Sequence, residues 1–260
     1  MPTQNKNQNV VITGASSGIG EALAKHYAKS GAQLGLIARR SDLLMRLQNE
    51  VVALGAPNPW IYPLDIRDCE ALKNAASDFI IKCGTPDIVI ANAGVSRGTL
   101  TAIEDDLIAF QEVFDINVMG TVNTFHAFLG AMQNAGRGTL VGIASVAGFR
   151  GIPGSSAYSS SKAAVIKYCE SLRVELRGSG LSVVTICPGY IRTPMTAVNT
   201  FKMPFLIDAD DAAARFARAI QAKTSFTVIP WRMGIAARVL RLVPNWLYDR
   251  VFSHMPRKPK

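Results

Sequence analysis

A tyrosine and a lysine four residues apart, Tyr158 and Lys162, are the chain's best candidates for acid–base chemistry. Because positions i and i+4 share one face of a helix, the ammonium group would favour the phenolate and lower the tyrosine pKa from about 10. A tyrosine with a lowered pKa can exchange a proton near neutral pH. Ser145 stands thirteen residues before the tyrosine, at the end of an apolar run that predicts a strand. The same pair also fits a solvated contact on an ordinary helix.

A glycine-rich turn near the start of the chain is a second candidate. Val10–Gly20 reads as a short apolar strand, a turn with Gly14, Gly18 and Gly20, and the start of a helix. Such a turn lets the backbone approach a pyrophosphate, and the helix N-terminus favours that anion. The spacing differs from the Gly-x-Gly-x-x-Gly fingerprint of the general dinucleotide fold. Three glycines can also simply close a tight loop.

Further motifs follow these two in a fixed order. They are Thr13–Gly20, Asn92–Gly94, Asn117, Ser145, the Tyr158/Lys162 pair and Pro188 with Gly189. Their order and separations resemble those of the NADP-preferring members of the short-chain dehydrogenase/reductase (SDR) family, with the catalytic set Ser-Tyr-Lys-Asn. The resemblance extends over about residues 9–230 and ends there.

The elements that must position these residues alternate along the chain. The predicted strands are residues 10–13, 33–38, 60–64, 88–92, 139–145, 182–187 and 226–229. The alternation predicts an α/β fold, a Rossmann-like doubly wound parallel sheet of about seven strands with helices on both faces. Ligands of such sheets bind beyond the carboxyl ends of the strands, so the motifs are expected to converge on one crevice.

Length and composition predict one folded domain. The chain has 260 residues, 48% of them hydrophobic, and no linker or repeat interrupts it. We assign residues 9–230 to an SDR domain and residues 231–260 to a basic amphipathic extension that is not a separate domain. The four cysteines have neither disulfide nor metal-ligand spacing, which predicts a cytoplasmic setting and no metal site. No apolar run reaches the roughly 18 residues of a membrane span.

The end of the second predicted strand carries Arg39 and Arg40 and no carboxylate. A carboxylate there would bind a ribose 2′-hydroxyl, whereas arginine attracts a 2′-phosphate. The sequence therefore favours NADP(H) over NAD as the cofactor. The two arginines could instead be solvated charges at a strand end.

The resemblance implies a full set of cofactor contacts. Asp65 and Ile66 match the adenine contact of the family, and Thr193 matches the contact to the nicotinamide carboxamide. The implied cofactor-binding residues are Gly14, Ser16, Ser17, Gly18, Ile19, Gly20, Arg39, Arg40, Asp65, Ile66, Asn92, Ala93, Gly94, Tyr158, Lys162, Pro188, Gly189, Ile191 and Thr193.

By resemblance, the chemistry is reversible hydride transfer between the nicotinamide and a carbonyl or alcohol carbon. Tyr158 would exchange the proton, and Ser145 would orient the substrate oxygen. Lys162 would lower the tyrosine pKa and bind the ribose. Asn117 would hold a water as a proton relay, or would only bond a neighbouring carbonyl within its helix. The alternative functions are a non-catalytic NADP-binding regulator or scaffold, and an SDR-type epimerase or dehydratase.

The segment after Pro188 predicts an apolar lid and hence an apolar substrate. Its apolar residues are Tyr190, Met195, Val198, Phe201, Met203, Phe205 and Leu206. Such segments also pack on their own core. The loop Phe149–Pro153 is expected across the pocket, with Arg150 facing solvent.

The net charge of +9 is concentrated at the C-terminal end, where residues 231–260 contain seven Arg or Lys and one Asp. On a helix, Ile235, Val239 and Leu242 would share one side. This segment could lie on an anionic membrane, at the inner face, or dock on the domain or a partner subunit. Nucleic acid is not expected, because no recognition module accompanies the charge. Resemblance implies a homodimer or homotetramer through the helices around residues 109–131 and 157–177.

Overall fold

The structure is a computed structural model that describes residues 8–253. The strands are β1 (Asn9–Thr13), β2 (Gln33–Ala38), β3 (Trp60–Pro63), β4 (Ile88–Ala91), β5 (Gly138–Ile143), β6 (Leu181–Pro188), β7 (Ile191–Arg192), β8 (Ile207–Asp208) and β9 (Phe226–Ile229). The helices are α1 (Gly18–Ala28), α2 (Ser41–Ala53), α3 (Cys69–Cys83), α4 (Asp105–Phe114), α5 (Gly120–Ala135), α6 (Ser156–Glu175), α7 (Pro194–Ala197), α8 (Ala209–Gln221), α9 (Trp231–Leu242) and α10 (Asn245–Phe252). The last part of the predicted extension, residues 254–260, lies outside the described residues.

Seven of the strands form one parallel sheet in the order β3-β2-β1-β4-β5-β6-β9, and β7 pairs with β8 beside it. Helices α1, α2 and α8 pack on one face, and α3, α5 and α6 pack on the other. This arrangement confirms the predicted doubly wound α/β fold. The strand order reverses between β1 and β4, and a crevice opens at the carboxyl ends of the strands at such a reversal.

The unbroken apolar strands reflect a sheet that is covered on both faces. Val10 and Ile12 of β1 pack into the core under α1, α2 and α8, whereas Val11 packs into the opposite core. Successive side chains of a strand point to opposite faces, so a strand buried on both sides needs apolar residues at every position. The rule explains why a continuous apolar run was the correct signal for these strands.

The predicted strand limits hold to within two residues. The largest difference is in β5, which ends at Ile143 and not at Ser145. After Ile143 the chain turns into a short 3₁₀ segment, Val146–Gly148, and the Ser145 hydroxyl accepts a hydrogen bond from the Ala147 amide at 3.1 Å. The side chain of Ser145 therefore lies just beyond the sheet, at its carboxyl edge.

The helices α9 and α10 follow the last strand and pack on the domain. The docked side of α9 contains two small buried residues, Gly234 and Ala237. A Cβ built at Gly234 would lie 3.0 Å from the Val228 Cβ of β9, so the helix comes close to the sheet at this point. Among residues 8–253, no helix is both long and apolar enough to cross a membrane.

Candidate active site

A cavity of about 430 Å³ opens at the carboxyl ends of the strands. Of the predicted residues, it is lined by Gly14, Ser16, Ser17, Gly18, Ile19, Arg39, Arg40, Asp65, Ile66, Asn92, Ala93, Gly94, Ser145, Tyr158, Lys162, Pro188, Gly189, Ile191 and Thr193. Gly20 and Asn117 are absent from this lining. The structure thus brings all the other expected cofactor and catalytic residues to one crevice.

The glycine-rich turn gives each of its three glycines a different role. Gly14 and Gly18 have positive φ angles of 66° and 60°, a backbone region that glycine enters without steric cost. Gly20 lies behind the cavity wall, where a Cβ would stand 2.3 Å from the Gly14 carbonyl oxygen. Gly20 thus has a packing role, since only glycine lets the turn close onto α1, whereas its predicted contact with the cofactor stays a prediction.

The two arginines after β2 have different environments. One nitrogen of the Arg40 guanidinium donates to the Ser16 hydroxyl at 3.0 Å and to the Ser17 hydroxyl at 2.8 Å. Arg39 instead lies 3.8 Å from a carboxylate oxygen of Asp65. Arg40 consequently places a cation beside the glycine-rich turn.

Asp65, the expected adenine contact, is held by a neighbouring arginine. The Arg67 guanidinium donates to both carboxylate oxygens of Asp65. Its Nε lies 3.1 Å from each oxygen, and a terminal nitrogen lies 2.7 Å from the second one. Hydrogen bonding by Arg67, more than the charge of Arg39, keeps the pKa of this carboxyl below its usual value. Asp65 therefore presents a fixed carboxylate at the cavity wall.

Asn92 joins the ends of two central strands. Its side-chain amide donates to the Thr13 carbonyl at 3.0 Å, and the Thr13 hydroxyl accepts hydrogen bonds from the Asn92 and Ala93 backbone amides at 3.1 and 3.2 Å. These bonds tie the segment after β4 to the turn after β1. The segment therefore supports the central strands in addition to lining the cavity.

Ser145, Tyr158 and Lys162 meet on one side of the cavity. Tyr158 and Lys162 lie one turn apart near the start of α6, and the Lys162 Nζ is 5.8 Å from the centre of the Tyr158 ring. The Nζ also donates to the Ile143 carbonyl oxygen at 2.9 Å. A hydrogen bond joins the side chains of Ser145 and Tyr158. A substrate oxygen bound next to these two hydroxyls would accept a hydrogen bond from each.

Burial dominates the titration of the tyrosine and the lysine. It lowers the pKa of Lys162, which is 5% exposed, to about 8. It raises the pKa of Tyr158, and the hydrogen bond with Ser145 opposes part of that rise. The net direction for Tyr158 is opposite to the one expected from its spacing to Lys162, because desolvation disfavours the phenolate. The stabilisation of a phenolate by Lys162 stays a prediction.

Asn117 lies behind the cavity in a π-helical turn between α4 and α5. Its side-chain oxygen accepts from the Val95 amide at 2.8 Å, and its side-chain nitrogen donates to the Val95 carbonyl and the Ser161 hydroxyl, both at 3.0 Å. A Cβ at Gly94 would lie 3.0 Å from that oxygen and 3.4 Å from Lys162 Nζ. Asn117 thus holds the segment that borders the lysine, whereas its relay role stays a prediction.

Several lining residues were not expected from the sequence. They are Ala38, Leu64, Val95, Ile116, Ile143, Ala144, Pro194 and Thr196. Ile143 contributes its backbone carbonyl to Lys162, and a backbone atom leaves no trace in residue type. The position of Ile143 at the end of a strand was the one available signal, because strand ends border ligands in this fold.

The predicted lid region contributes one of its apolar side chains to the cavity. Met195 of α7 lines it, whereas the Tyr190 and Phe201 rings, which form an edge contact with centres 6.2 Å apart, are outside the lining. A Cβ at Gly18 would lie 3.2 Å from the Thr193 methyl, so the segment after β6 closes onto the glycine-rich turn. The opening is therefore bordered by the cofactor turn on one side and by apolar side chains on the other.

Arg150 was expected to face solvent, but the structure shows that its guanidinium is bonded within the protein. Its guanidinium donates to the Leu240 and Val243 carbonyls at 2.6 Å each and to the Asn245 side-chain oxygen at 3.0 Å. It also stacks on the Tyr248 ring at 3.9 Å. Cations near a helix C-terminus bond its free carbonyls and interact favourably with its dipole. Arg150 therefore ties the loop after Ser145 to α9 and α10.

Comparisons with known proteins agree with this geometry. The sequence profile described as short chain dehydrogenase matches residues 8–203. An uncharacterized oxidoreductase of Myxococcus xanthus (strain DK1622) is 37% identical over 242 residues, 93% of this chain and 95% of that protein. The ketoacyl reductase HetN of Nostoc sp. is 32% identical over 230 residues, 85% of this chain and 78% of that protein.

A solved structure shows the same fold with a nucleotide bound. It is an alcohol dehydrogenase from the archaeon Thermococcus sibiricus, complexed with 5-hydroxy-NADP, at 25% identity and a TM-score of 0.76. The match covers 86% of this chain and 96% of that one.

Proposed function

The chain belongs to the short chain dehydrogenase family and is an oxidoreductase of that type; we propose that it transfers a hydride between NADP(H) and a carbonyl or alcohol carbon of an apolar substrate. The observation that carries this proposal is the convergence of Ser145, Tyr158 and Lys162 with the glycine-rich turn on one cavity. A glycine-rich turn that can bind the pyrophosphate and hydroxyls that can contact the substrate oxygen both lie at the carboxyl ends of the strands, where this fold binds dinucleotides.

The residues around the cavity fit an NADP molecule. The turn before α1 offers a close backbone approach, because Gly14 and Gly18 carry no side chain and the helix starts at the cavity. Arg40, bonded to Ser16 and Ser17, stands beside that turn as a cation for the 2′-phosphate. Lys162 and Thr193 are the candidates for the ribose hydroxyls and the carboxamide of the nicotinamide.

When bound, the nicotinamide supplies or accepts the hydride. In the direction of reduction, the Tyr158 hydroxyl donates its proton to the substrate oxygen while the Ser145 hydroxyl donates a hydrogen bond to the same atom. The raised pKa of Tyr158 keeps this donor protonated at neutral pH. As the proton leaves, the buried Lys162 ammonium, 5.8 Å from the centre of the Tyr158 ring, lowers the energy of the phenolate.

The apolar lid supports an apolar substrate. Met195 lines the cavity, and Tyr190 and Phe201, whose rings contact each other, belong to the same segment. Ligand sites are mostly apolar, with a few polar groups that fix orientation, and here Ser145 and Tyr158 are those groups. The name of the Nostoc relative adds 3-oxoacyl compounds to the candidate substrates.

A panel of carbonyl and alcohol substrates tests the proposal directly. It should contain hydrophobic ketones, 3-oxoacyl thioesters and steroids, each followed by the absorbance of NADPH and of NADH. We expect turnover of at least one apolar carbonyl, with a higher kcat/KM for NADPH than for NADH. A protein that binds NADPH and turns over none of them would support a regulatory role instead.

We also propose a cytoplasmic homodimer or homotetramer. The four cysteines are free thiols, as is usual in a reducing compartment. Three large apolar side chains are exposed on neighbouring elements. They are Ile108 of α4 (76%), Met119 of the π-helical turn after α4 (51%) and Val174 of α6 (60%). Apolar side chains on neighbouring helices suit burial between subunits. Light scattering should give a mass of two or four chains, and Ile108→Ser should reduce it.

A further inference from the structure

The helix α9 turns its small residues inward and its large apolar residues outward. Gly234 and Ala237 are buried against the sheet, whereas Trp231, Ile235 and Val239, at positions i, i+4 and i+8, share the outer side. The sequence placed apolar residues on one side of this helix and left open whether that side docks on the domain. The structure shows that the helix docks through other residues and leaves this side uncovered.

The uncovered side continues onto α10 and forms a surface that we call the C-terminal face. Its large apolar side chains are Trp231, Ile235, Val239, Leu242 and Trp246, exposed by 64, 52, 56, 84 and 71%. Several exposed apolar side chains of this size on two consecutive helices suit a docking surface, because leaving them in water is unfavourable. Two tryptophans at its two ends suit the boundary between water and lipid, where an amphipathic ring is stable.

Arginines accompany the apolar row. Arg232 and Arg238 each lie three residues from Ile235, on either side of it along the chain, and Arg250 lies on α10. Within residues 8–253, none of the three forms an ion pair. Asp249 is the one acidic residue of α9 and α10. The C-terminal face therefore combines apolar side chains with uncompensated positive charge.

A basic groove borders the C-terminal face. It has a volume of about 660 Å³ and lies between α6, β9 and α9. Its charged lining residues are Arg173, Arg238, Arg241 and the ion pair of Lys167 with Glu170 at 2.6 Å, which leaves three positive charges unpaired within the described part of the groove. Phe149 and Phe226 form part of its apolar wall, with ring centres 6.0 Å apart. Basic grooves beside an apolar surface suit the phosphate of an anionic lipid head group.

The charge of the face favours an anionic partner over a second copy of the chain. A two-fold interface places the same patch of both subunits in contact, so two such faces would oppose their arginines with only Asp249 to offset them. An anionic bilayer instead offers a negative surface to the arginines and an apolar phase to the tryptophans. We propose that the C-terminal face docks the protein on the surface of an anionic phospholipid bilayer.

Docking through this face would place the membrane on the outer side of a helix whose inner side packs on the cavity wall. Met233, on the docked side of α9, packs close to Gly189 of the cavity wall, where a Cβ would lie 2.7 Å from the Met233 Cγ. Arg150 ties the other end of α9 to the loop after Ser145. The inference does not depend on the proposed NADP(H) chemistry, because membrane binding can be measured without turnover.

Vesicle flotation of the full chain tests the proposal. The vesicles are phosphatidylcholine with and without phosphatidylglycerol, at low and high salt. We expect binding to the phosphatidylglycerol vesicles that is at least about tenfold stronger than to phosphatidylcholine alone and that weakens with salt. Brominated lipids should quench tryptophan fluorescence in the bound protein, because Trp231 and Trp246 enter the interface.

Matched variants separate this face from general stickiness and charge. Leu242→Ser with Trp246→Ser should weaken vesicle binding by about tenfold or more, whereas Ile81→Ser, a change at an equally exposed residue (84%) on α3, should leave it unchanged. Arg232→Gln with Arg238→Gln should weaken it more than Lys29→Gln with Lys223→Gln. Circular dichroism checks that each variant is folded.

The contradicting results are equally specific. The proposal fails if the full chain does not bind phosphatidylglycerol vesicles, or if the control variants lose as much binding as the variants of the face. A third result would also contradict it: the protein does not bind vesicles, and the double variant Leu242→Ser with Trp246→Ser converts an oligomer into monomers. The face would then be a subunit interface.

Discussion

The Arg40 guanidinium donates a hydrogen bond to the Ser17 hydroxyl at 2.8 Å and so joins the end of β2 to the glycine-rich turn. Ser17 precedes α1, and its side chain forms no hydrogen bond that caps the helix. The hydroxyl is therefore committed to holding the arginine. A cation held beside a phosphate-binding turn is the structural basis for the proposed preference for NADP(H).

Arg40→Ala should weaken the binding of NADPH by about 10- to 100-fold, because a hydrogen bond to a charged group contributes roughly 1.5–3 kcal/mol. The binding of NADH should change little, since NADH has no 2′-phosphate. Arg39→Ala is the matched control, and we expect a smaller effect because Arg39 is directed to Asp65. Titration of both nucleotides by fluorescence gives the four dissociation constants. An equal loss for NADPH and NADH would exclude a 2′-phosphate contact.

The buried ammonium of Lys162 predicts a pH-dependent contribution to stability. Its pKa is lowered from 10.5 to about 8 in the folded protein. The unfolded chain therefore holds this proton more tightly, so protonation of Lys162 disfavours folding below pH 8, and this penalty disappears as the pH rises toward 10.5.

Lys162→Met removes that penalty. The free energy of unfolding of the variant minus that of the wild type should be most favourable to the variant at neutral pH and should fall by roughly 3 kcal/mol toward pH 10.5. Urea unfolding at several pH values measures this difference, in which titrations common to both proteins cancel. A difference that does not vary with pH would show that the lysine is not desolvated.

Arg150 should be important for the attachment of α9 and α10. Arg150→Leu removes the hydrogen bonds to Leu240, Val243 and Asn245 and the contact with Tyr248. We expect a loss of stability of roughly 2–4 kcal/mol, because the variant leaves carbonyl groups without their donor. Limited proteolysis should cut the variant near α9 faster than the wild type. Arg177→Leu, on the surface after α6, is the control and should have little effect.

The sequence predicted the sheet well, because its signals are local. Val10, Val11 and Ile12 must all be apolar when both faces of β1 are covered. The motif residues then followed from one rule, that ligands lie at the carboxyl ends of parallel strands. For this reason the sequence predicts that Gly14, Ser145 and the other motif residues at strand ends converge on one crevice.

The remaining contacts join residues far apart in the chain or involve the backbone. The sequence predicts an exposed Arg150 because it does not reveal partners that are distant along the chain. The nearer carbonyl partner, that of Leu240, is 90 residues away. The packing of Gly20 behind Gly14 depends on how α1 enters the turn, which the glycine spacing does not reveal. The pKa of Tyr158 depends on burial, which the spacing to Lys162 does not reveal.

The most direct test of the account is Tyr158→Phe, assayed with NADPH and a carbonyl substrate that the wild type reduces. The variant keeps the ring and loses only the hydroxyl, so NADPH binding should stay within about twofold of the wild type while kcat falls by about 100-fold or more. Turnover by the variant at a rate close to that of the wild type would contradict the central claim that Tyr158 supplies the proton.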